Sequence, residues 1–430
     1  MRFWALVLVL ACFALGCAAP QASAPRTAES PPKPAAPKRI VAAIMSEAQS
    51  LSERRSAQGR GAGSDEVAQM VNAGLVRGDG VGNAHPELAE AVPTLENGLW
   101  RVFPDGRMET TWRLRDGTRW HDGAALTADD LRFTVTLGQD HDLAMQGDQA
   151  FGLIDSVTTP DPRTMTVHWK GPYIEADTLF SHGLFSFGLA VPLPKHLLER
   201  AYADAKGSFF DQAYWTDEFV GAGPFKLRQF VRGSHLVLDA NDAYILGRPR
   251  VDEIEVRFIT ALSSLVATVL AGELDMTLGR DISIEQGVQI RDQWTGGKVD
   301  FSRVGGGLAL YAQFINPGLP VVTDVRLRRA MLHALNREEM AEVLQAGVGQ
   351  VAHSYLFPSD PEYRETEASV VRYAYDPRRS MQLLEELGYV RRPDGAFQDQ
   401  AGQRLSVDVN TTSADFNQKT ILSVADSWQR

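Results

Sequence analysis

The chain has 430 residues, 44% hydrophobic and 23% charged, close to globular averages and enough for two or three domains with sizeable cores. Its formal charge of −11, from 43 basic and 54 acidic residues, argues against a nucleic-acid partner, which needs a basic face to displace counterions. The only cysteines, Cys12 and Cys17, sit at the N-terminus, so the body of the chain holds no disulfide and no thiolate metal site.

In chain order, Arg2 and the apolar run from Phe3 to Gly16 read as a secretory signal, too short for a membrane span. The run ends in Ala14-Leu15-Gly16-Cys17, which resembles the lipobox of bacterial lipoproteins, with Ala14 where Leu is usual. That resemblance implies a signal peptide over 1–16 and a lipid on Cys17; the alternative is an ordinary signal peptide cut after a small residue. Residues 17–38 are rich in Pro and Ala and form a semi-extended tether.

Ile40 to Ile44 reads as a short buried strand. The following Gly59-Arg60-Gly61-Ala62-Gly63 lacks the Lys-Ser/Thr of a phosphate loop and reads as a surface or cleft loop. Trp112 and Leu114 alternate with polar residues, and Asp116-Gly117 predicts a hairpin turn into Thr118-Arg119-Trp120. Thr127 to Asp130 is a helix cap. Met165, Val167 and Trp169, and later Ile254, Val256 and Phe258, alternate as half-buried strands. Leu327, Ala330, Met331, Ala334 and Leu335 have helical spacing, Asn336 caps a second helix with Glu339 at the reciprocal position, and Asp376-Pro377 opens a third that Gly388 stops. Strands and helices interleave without a strict repeat, so the chain is mixed α/β with more than one sheet.

Seven segments in this order resemble the bacterial extracellular solute-binding proteins of family 5, the peptide- and nickel-binding receptors of ABC importers. They are Pro86 to Glu90; Trp112 to Gly123 with Leu126 to Asp130; Leu193-Pro194-Lys195-His196; Gly221 to Leu227; Gly272 to Asp275; Asp324 to Ala330; and Tyr375-Asp376-Pro377. The resemblance implies an α/β, two-lobed periplasmic-binding-protein-like fold of type II, cluster C-like, with an extra subdomain and its C-terminal part apparently missing. The implied boundaries are 39–75 and 181–300 for the first lobe, 76–180 for the subdomain, and 301–430 for an incomplete second lobe. The carboxylate that pairs with a peptide amine in the family would lie beyond Arg430.

His121-Asp122, Asp129-Asp130 and Gln139 to Asp142 invite a metal or catalytic reading, but turn and cap chemistry explains them, and no second histidine has ligand spacing. No Gly-x-Ser-x-Gly or His-Glu-x-x-His occurs, so no catalytic residue, metal site or cofactor is expected. By family position the cleft would be lined by Glu47 and Ser50 after the first strand, by Arg280 and Asp281, and by Gly305, Gly306, Gly307, Tyr311 and Gln313. The bland readings are a surface ion pair for Arg280 and Asp281, and a connector with Tyr311 in the core for the last group.

The resemblance implies an exported, lipid-anchored, monomeric receptor at the periplasm or cell surface, which captures a short peptide and hands it to an ABC permease. A nickel chelate or an oligosaccharide is the alternative ligand. A lipid-anchored hydrolase and a ligand-free sensory or scaffold lipoprotein are the alternatives of other classes.

Overall fold

The first strand shows how a short sequence builds two cores at once. Successive side chains of a strand point to opposite faces. In β1 (Arg39–Ile44), Ala42 and Ile44 enter one apolar cluster and Ala43 enters another, all fully buried. Such a strand must be central. It pairs in parallel with β11 (Glu253–Phe258) on one side and β12 (Met276–Thr277) on the other. The antiparallel strands β10 (His235–Ala240) and β9 (Phe225–Val231) complete a five-stranded sheet of order β12-β1-β11-β10-β9.

The computed structural model describes residues 37–52, 63–79, 83–143, 149–182, 191–279, 282–301, 308–356, 363–411 and 415–430. Lys38–Arg430 forms one compact unit. The signal segment, Cys17 and nearly all of the tether lie outside the described residues.

One face of the main sheet is covered by α1 (Ser64–Val71) and by the aromatic group Phe209, Tyr214, Trp215 and Phe219. The other face packs on Leu265, Val269 and Ile290. Leu265 and Val269 belong to the helix Leu262–Leu270, and Ile290 to the helix Ile284–Gln293. A second, antiparallel sheet joins β4 (Trp100–Val102), β5 (Met108–Arg113), β7 (Thr164–Trp169) and β6 (Ile154–Asp161), in the order β4-β5-β7-β6. Met165, Val167 and Trp169 are buried on one face of β7, as their alternation predicts. The helix Ala128–Gln139 lays Leu131 and Val135 in the same cluster. A small sheet of β3 (Ala84–Pro86), β2 (Val76–Gly78) and β8 (Ser181–His182) adjoins it.

Further along, the helices Val325–His333 and Pro377–Glu386 pack through Leu327, Ala330, Leu383 and Leu384. Both starts are capped, at Asp376 as predicted: the Asp324 and Asp376 side chains accept from Arg326 N at 2.8 Å and Arg379 N at 2.9 Å. Asn336 Oδ1 accepts from Glu339 N at 3.3 Å while its Nδ2 donates to Glu339 Oε2 at 2.9 Å.

One turn differs from expectation. Asp116-Gly117 does not fold Trp112–Leu114 back onto Thr118–Trp120, because β5 already has β4 and β7 on its two sides. The tight pairing lies later. Trp120 N donates to Ala124 O at 2.9 Å and Leu126 N to Thr118 O at 3.1 Å, around Gly123 at φ +92°. Asp122 Oδ1 accepts from Ala124 N at 3.0 Å and closes that turn.

A buried carboxylate ties the second sheet's region to the first. Glu87 is 1% exposed. Its Oε2 accepts from Gly74 N at 2.8 Å, and its Oε1 accepts from the hydroxyl of Tyr244, which follows β10. Burial, and next the Glu87 charge, push the Tyr244 phenol far above its ordinary range. Tyr244→Phe removes this donor from a buried carboxylate and is expected to cost about 1–3 kcal/mol in urea unfolding. An unchanged urea midpoint would show that Glu87 is satisfied without it.

Candidate functional site

In open α/β sheets, ligands bind outside the carboxyl ends of the parallel strands. Here those ends are Ile44 of β1, Phe258 of β11 and Thr277 of β12. Ile259 N donates to Ile44 O at 2.9 Å, and Leu278 N to Ala43 O at 2.9 Å. The chain leaving β1 crosses this edge as the segment 45–52.

That segment is held at several points. Leu51 is fully buried among the aromatic residues of the main core. Its N–H donates to Trp215 O at 3.1 Å, and its carbonyl accepts from Asn72 Nδ2 at 2.8 Å. Glu47 Oε2 accepts from Gly233 N at 3.0 Å, in the turn between β9 and β10. Glu47 also pairs with Arg232 at 3.6 Å, and Arg232 reaches Asp217 at 3.0 Å. Ser50 Oγ accepts from Ser52 N at 3.1 Å. The Glu47 and Ser50 side chains therefore brace the segment that carries them.

Sequence reasoning missed the start of α1. Its N-cap is Gly63, at φ +85° and without a side-chain cap. A Cβ there would stand 2.3 Å from Ile44 Cγ2 and 3.2 Å from Leu278 O, so only glycine lets the helix begin against these strand ends. Ser64 Oγ is buried and has no hydrogen-bond partner among the described residues. A serine following a glycine-rich run was the available signal.

The other predicted residues fall elsewhere. Tyr311 is 81% exposed, not in a core, and Leu310, Phe314 and Ile315 beside it are exposed too. The segment 308–316 that carries them takes no helix or strand. Gln313 Nε2 donates to Ile315 O at 2.6 Å. Arg280, Asp281, Gly305, Gly306 and Gly307 lie outside the described residues. Among the described residues no three His, Cys, Asp or Glu side chains are placed to hold a metal ion.

Two motifs that look separate in sequence form one unit. His121 N donates to Gly221 O at 2.8 Å, and Gly221 N donates back to His121 Nδ1 at 3.2 Å. The other ring nitrogen, Nε2, lies 3.1 Å from Gly223 O and must carry the proton. Burial first, then the Lys226 charge, hold the His121 pKa at about 4, against the pull of Gly223 O and Asp122. Next to it, Asp122 Oδ2 meets His196 Nε2 at 2.7 Å. Burial alone would raise the Asp122 pKa, but the hydrogen bonds from His196 and Ala124 N outweigh it and the net direction is down.

The Gly221–Gly223 backbone in turn presses on the end of α1. Gly223 N donates to Val71 O at 3.1 Å. A Cβ on Gly221 would stand 2.0 Å from Val71 O, and one on Gly223 2.5 Å from Val71 C. Gly221→Ala forces this backbone apart and is expected to lower stability by about 1–3 kcal/mol or more, as overpacking does. Gly207→Ala, where a Cβ meets open space, is the control. Equal melting temperatures for the two variants would contradict the packing argument.

Known proteins resemble this chain along most of its length. The model of the bacterial extracellular solute-binding proteins, family 5, matches residues 83–430. A peptide-binding protein assigned to an ABC transporter in Brucella ovis is 28% identical over 293 residues, 67% of this chain and 51% of its own length. The chain thus spans about half the length of that relative. The oligopeptide-binding protein AppA of Bacillus subtilis is 25% identical over 95% of this chain and 70% of its own. Its structure with a nonapeptide superposes with a TM-score of 0.67 at 20% identity, covering 92% of this chain and 73% of that one. NikZ of Campylobacter jejuni, solved with Ni(L-His), gives a TM-score of 0.60 at 21% identity, covering 85% and 66%. These likenesses establish the two-lobed α/β architecture.

Proposed function

This chain belongs to the bacterial extracellular solute-binding proteins of family 5, and we propose that it captures short peptides and delivers them to an ABC permease. The observation that carries this reading is the braced segment 45–52 at the carboxyl ends of β1, β11 and β12, in a chain whose relatives are named for peptide binding. That edge would offer backbone groups and the hydroxyls of Ser50 and Ser64. Such groups suit an extended peptide, whose own N–H and C=O groups accept pairing from a strand-like neighbour while its side chains go to roomier pockets. Ser64, Glu47 and Ser50 would face the ligand from the first lobe. Arg280, Asp281, Gly305, Gly306, Gly307, Tyr311 and Gln313 would contribute from the connections to the second. A hinge between lobes would close on the peptide, and the peptide would favour closure only through tighter binding to the closed form.

Lipid on Cys17 and the Pro/Ala tether would hold this receptor at the outer face of a membrane as a monomer. Cys17→Ser is expected to abolish labelling by a radioactive fatty acid and to release the protein into the soluble fraction. Retained labelling would remove the anchor from the account.

Native mass spectrometry of the purified protein, followed by thermal unfolding with synthetic short peptides of mixed sequence, tests the capture reading. A bound peptide should stabilise by about 2.7 kcal/mol at a hundredfold excess over its dissociation constant. The structural neighbour solved with Ni(L-His) motivates a second arm with nickel and histidine. Stabilisation in that arm alone replaces peptide by chelate. Saturable hydrolysis of the peptides would point to an enzyme instead.

A further inference from the structure

His121 sits at the head of a series of hydrogen bonds that ends in the segment 45–52. Its ring accepts from Gly221 N at 3.2 Å and donates to Gly223 O at 3.1 Å. Gly223 N donates to Val71 O at 3.1 Å, at the last residue of α1. The next residue, Asn72, is 3% exposed and sends its amide to Leu51 O at 2.8 Å and Ala68 O at 2.8 Å. Because Gly221 and Gly223 touch α1 backbone to backbone, a shift of either glycine is transmitted to Val71 and Asn72 rather than absorbed by a side chain.

The ring can play this part in one protonation state only. Neutral, with the proton on Nε2, it offers Gly221 N–H a lone pair on Nδ1. A proton on Nδ1 turns that acceptor into a donor aimed at a donor. We propose that His121 is a pH-sensitive positioning residue, whose protonation breaks the bond from Gly221, loosens the segment carrying Glu47 and Ser50, and so releases bound solute in acid. The release step rests on the reading of that segment as a ligand contact; the loosening does not.

The charged and titratable groups around the ring are few. Asp122 adjoins it in sequence, Lys226 of β9 donates to His121 O at 3.2 Å, and His196 of the helix Lys195–Asp204 is held by Asp122. Tyr214, buried nearby, feels the Asp122 charge. Lys226 disfavours the imidazolium, and Asp122 favours it but is already paired with His196. The folded pKa of about 4 lies below the ordinary histidine value of about 6.5, so the folded state binds fewer protons than the unfolded one between these values. The contribution of His121 is therefore complete above the unfolded pKa and is lost as the pH falls toward the folded one.

Hydrogen exchange of the ligand-free protein from pH 7 to 4.5, corrected for intrinsic rates, tests the proposal. In the wild type, protection at the Gly221 and Leu51 amides should fall about tenfold or more over this range. His121→Gln keeps a donor and an acceptor but cannot titrate, and its protection should stay flat. An equal fall in His121→Gln overturns the proposal. Should that variant not fold, Lys226→Met serves, since removing the like charge must move the His121 titration, followed by imidazole nitrogen NMR, to higher pH together with the loss of protection. Protection that does not follow the ring titration overturns the proposal too. His196→Gln should behave as wild type; a flat response there would transfer the switch to His196 and sink the role of His121. The retention of synthetic short peptides at pH 7 and 4.5 is read separately. No peptide binding at either pH, with acid-labile protection, defeats the peptide reading and leaves the switch.

Discussion

The structure depends on a place where two backbones meet with no side chain between them. Gly221 and Gly223 lie against Val71 and Asn72 so closely that a single methyl group at either glycine would overlap main-chain atoms. Contact at that distance fixes α1 against the start of β9, and α1 begins where β1 and β12 end. The helix is thereby gripped at both ends by glycine. A helix of this length has little stability of its own in water, so its position and even its existence come from tertiary packing. Through Asn72, which follows it, this short helix also holds the Leu51 carbonyl beside the carboxyl edge of the sheet.

Much of the architecture was legible because it follows from local periodicity. The alternation in Thr164–Trp169 appears as alternating burial, and the caps at Thr127, Asn336 and Asp376 open helices. What could not be read was pairing over long separations. Asp116-Gly117 carries a turn dipeptide, yet the hairpin closes at Gly123, because β5 is claimed on both sides by strands the local sequence does not reveal. The bond from Gly221 to His121 joins residues a hundred positions apart. Either motif alone explains itself as a turn, so neither advertises the other. The same holds for Glu47. Its family position suggests a ligand contact, and only the fold discloses that Arg232 and Gly233 also engage its carboxylate.

Charge plays a different part on the other side of the sheet. Arg39 pairs with Glu253 and Glu255, and Arg228 with Asp239 and Glu253. These side chains are partly exposed, and each such pair contributes little to stability. Their placement matters more than their strength. β9 is an edge strand, and an edge of unpaired N–H and C=O groups invites another chain. Lys226 and Arg228 place cations along it, while the opposite edge, β12, is too short to template a partner.

A scaffold of this kind separates what must be constant from what can vary. The segment 45–52 is located by its backbone: Leu51 gives its N–H to Trp215 and its carbonyl to Asn72, and the Leu51 side chain fills the core. These contacts leave the side chains at 46 and 49 partly or fully exposed, while Ser50 Oγ accepts from Ser52 N. Structures with this architecture at about a fifth identity have been solved with solutes as different as a nonapeptide and Ni(L-His). In this chain the glycine contact also has a titratable lock. A residue that only filled space against Gly221 could be apolar; a half-buried imidazole, neutral and bonded at both nitrogens, makes the position of the segment 45–52 answer to pH.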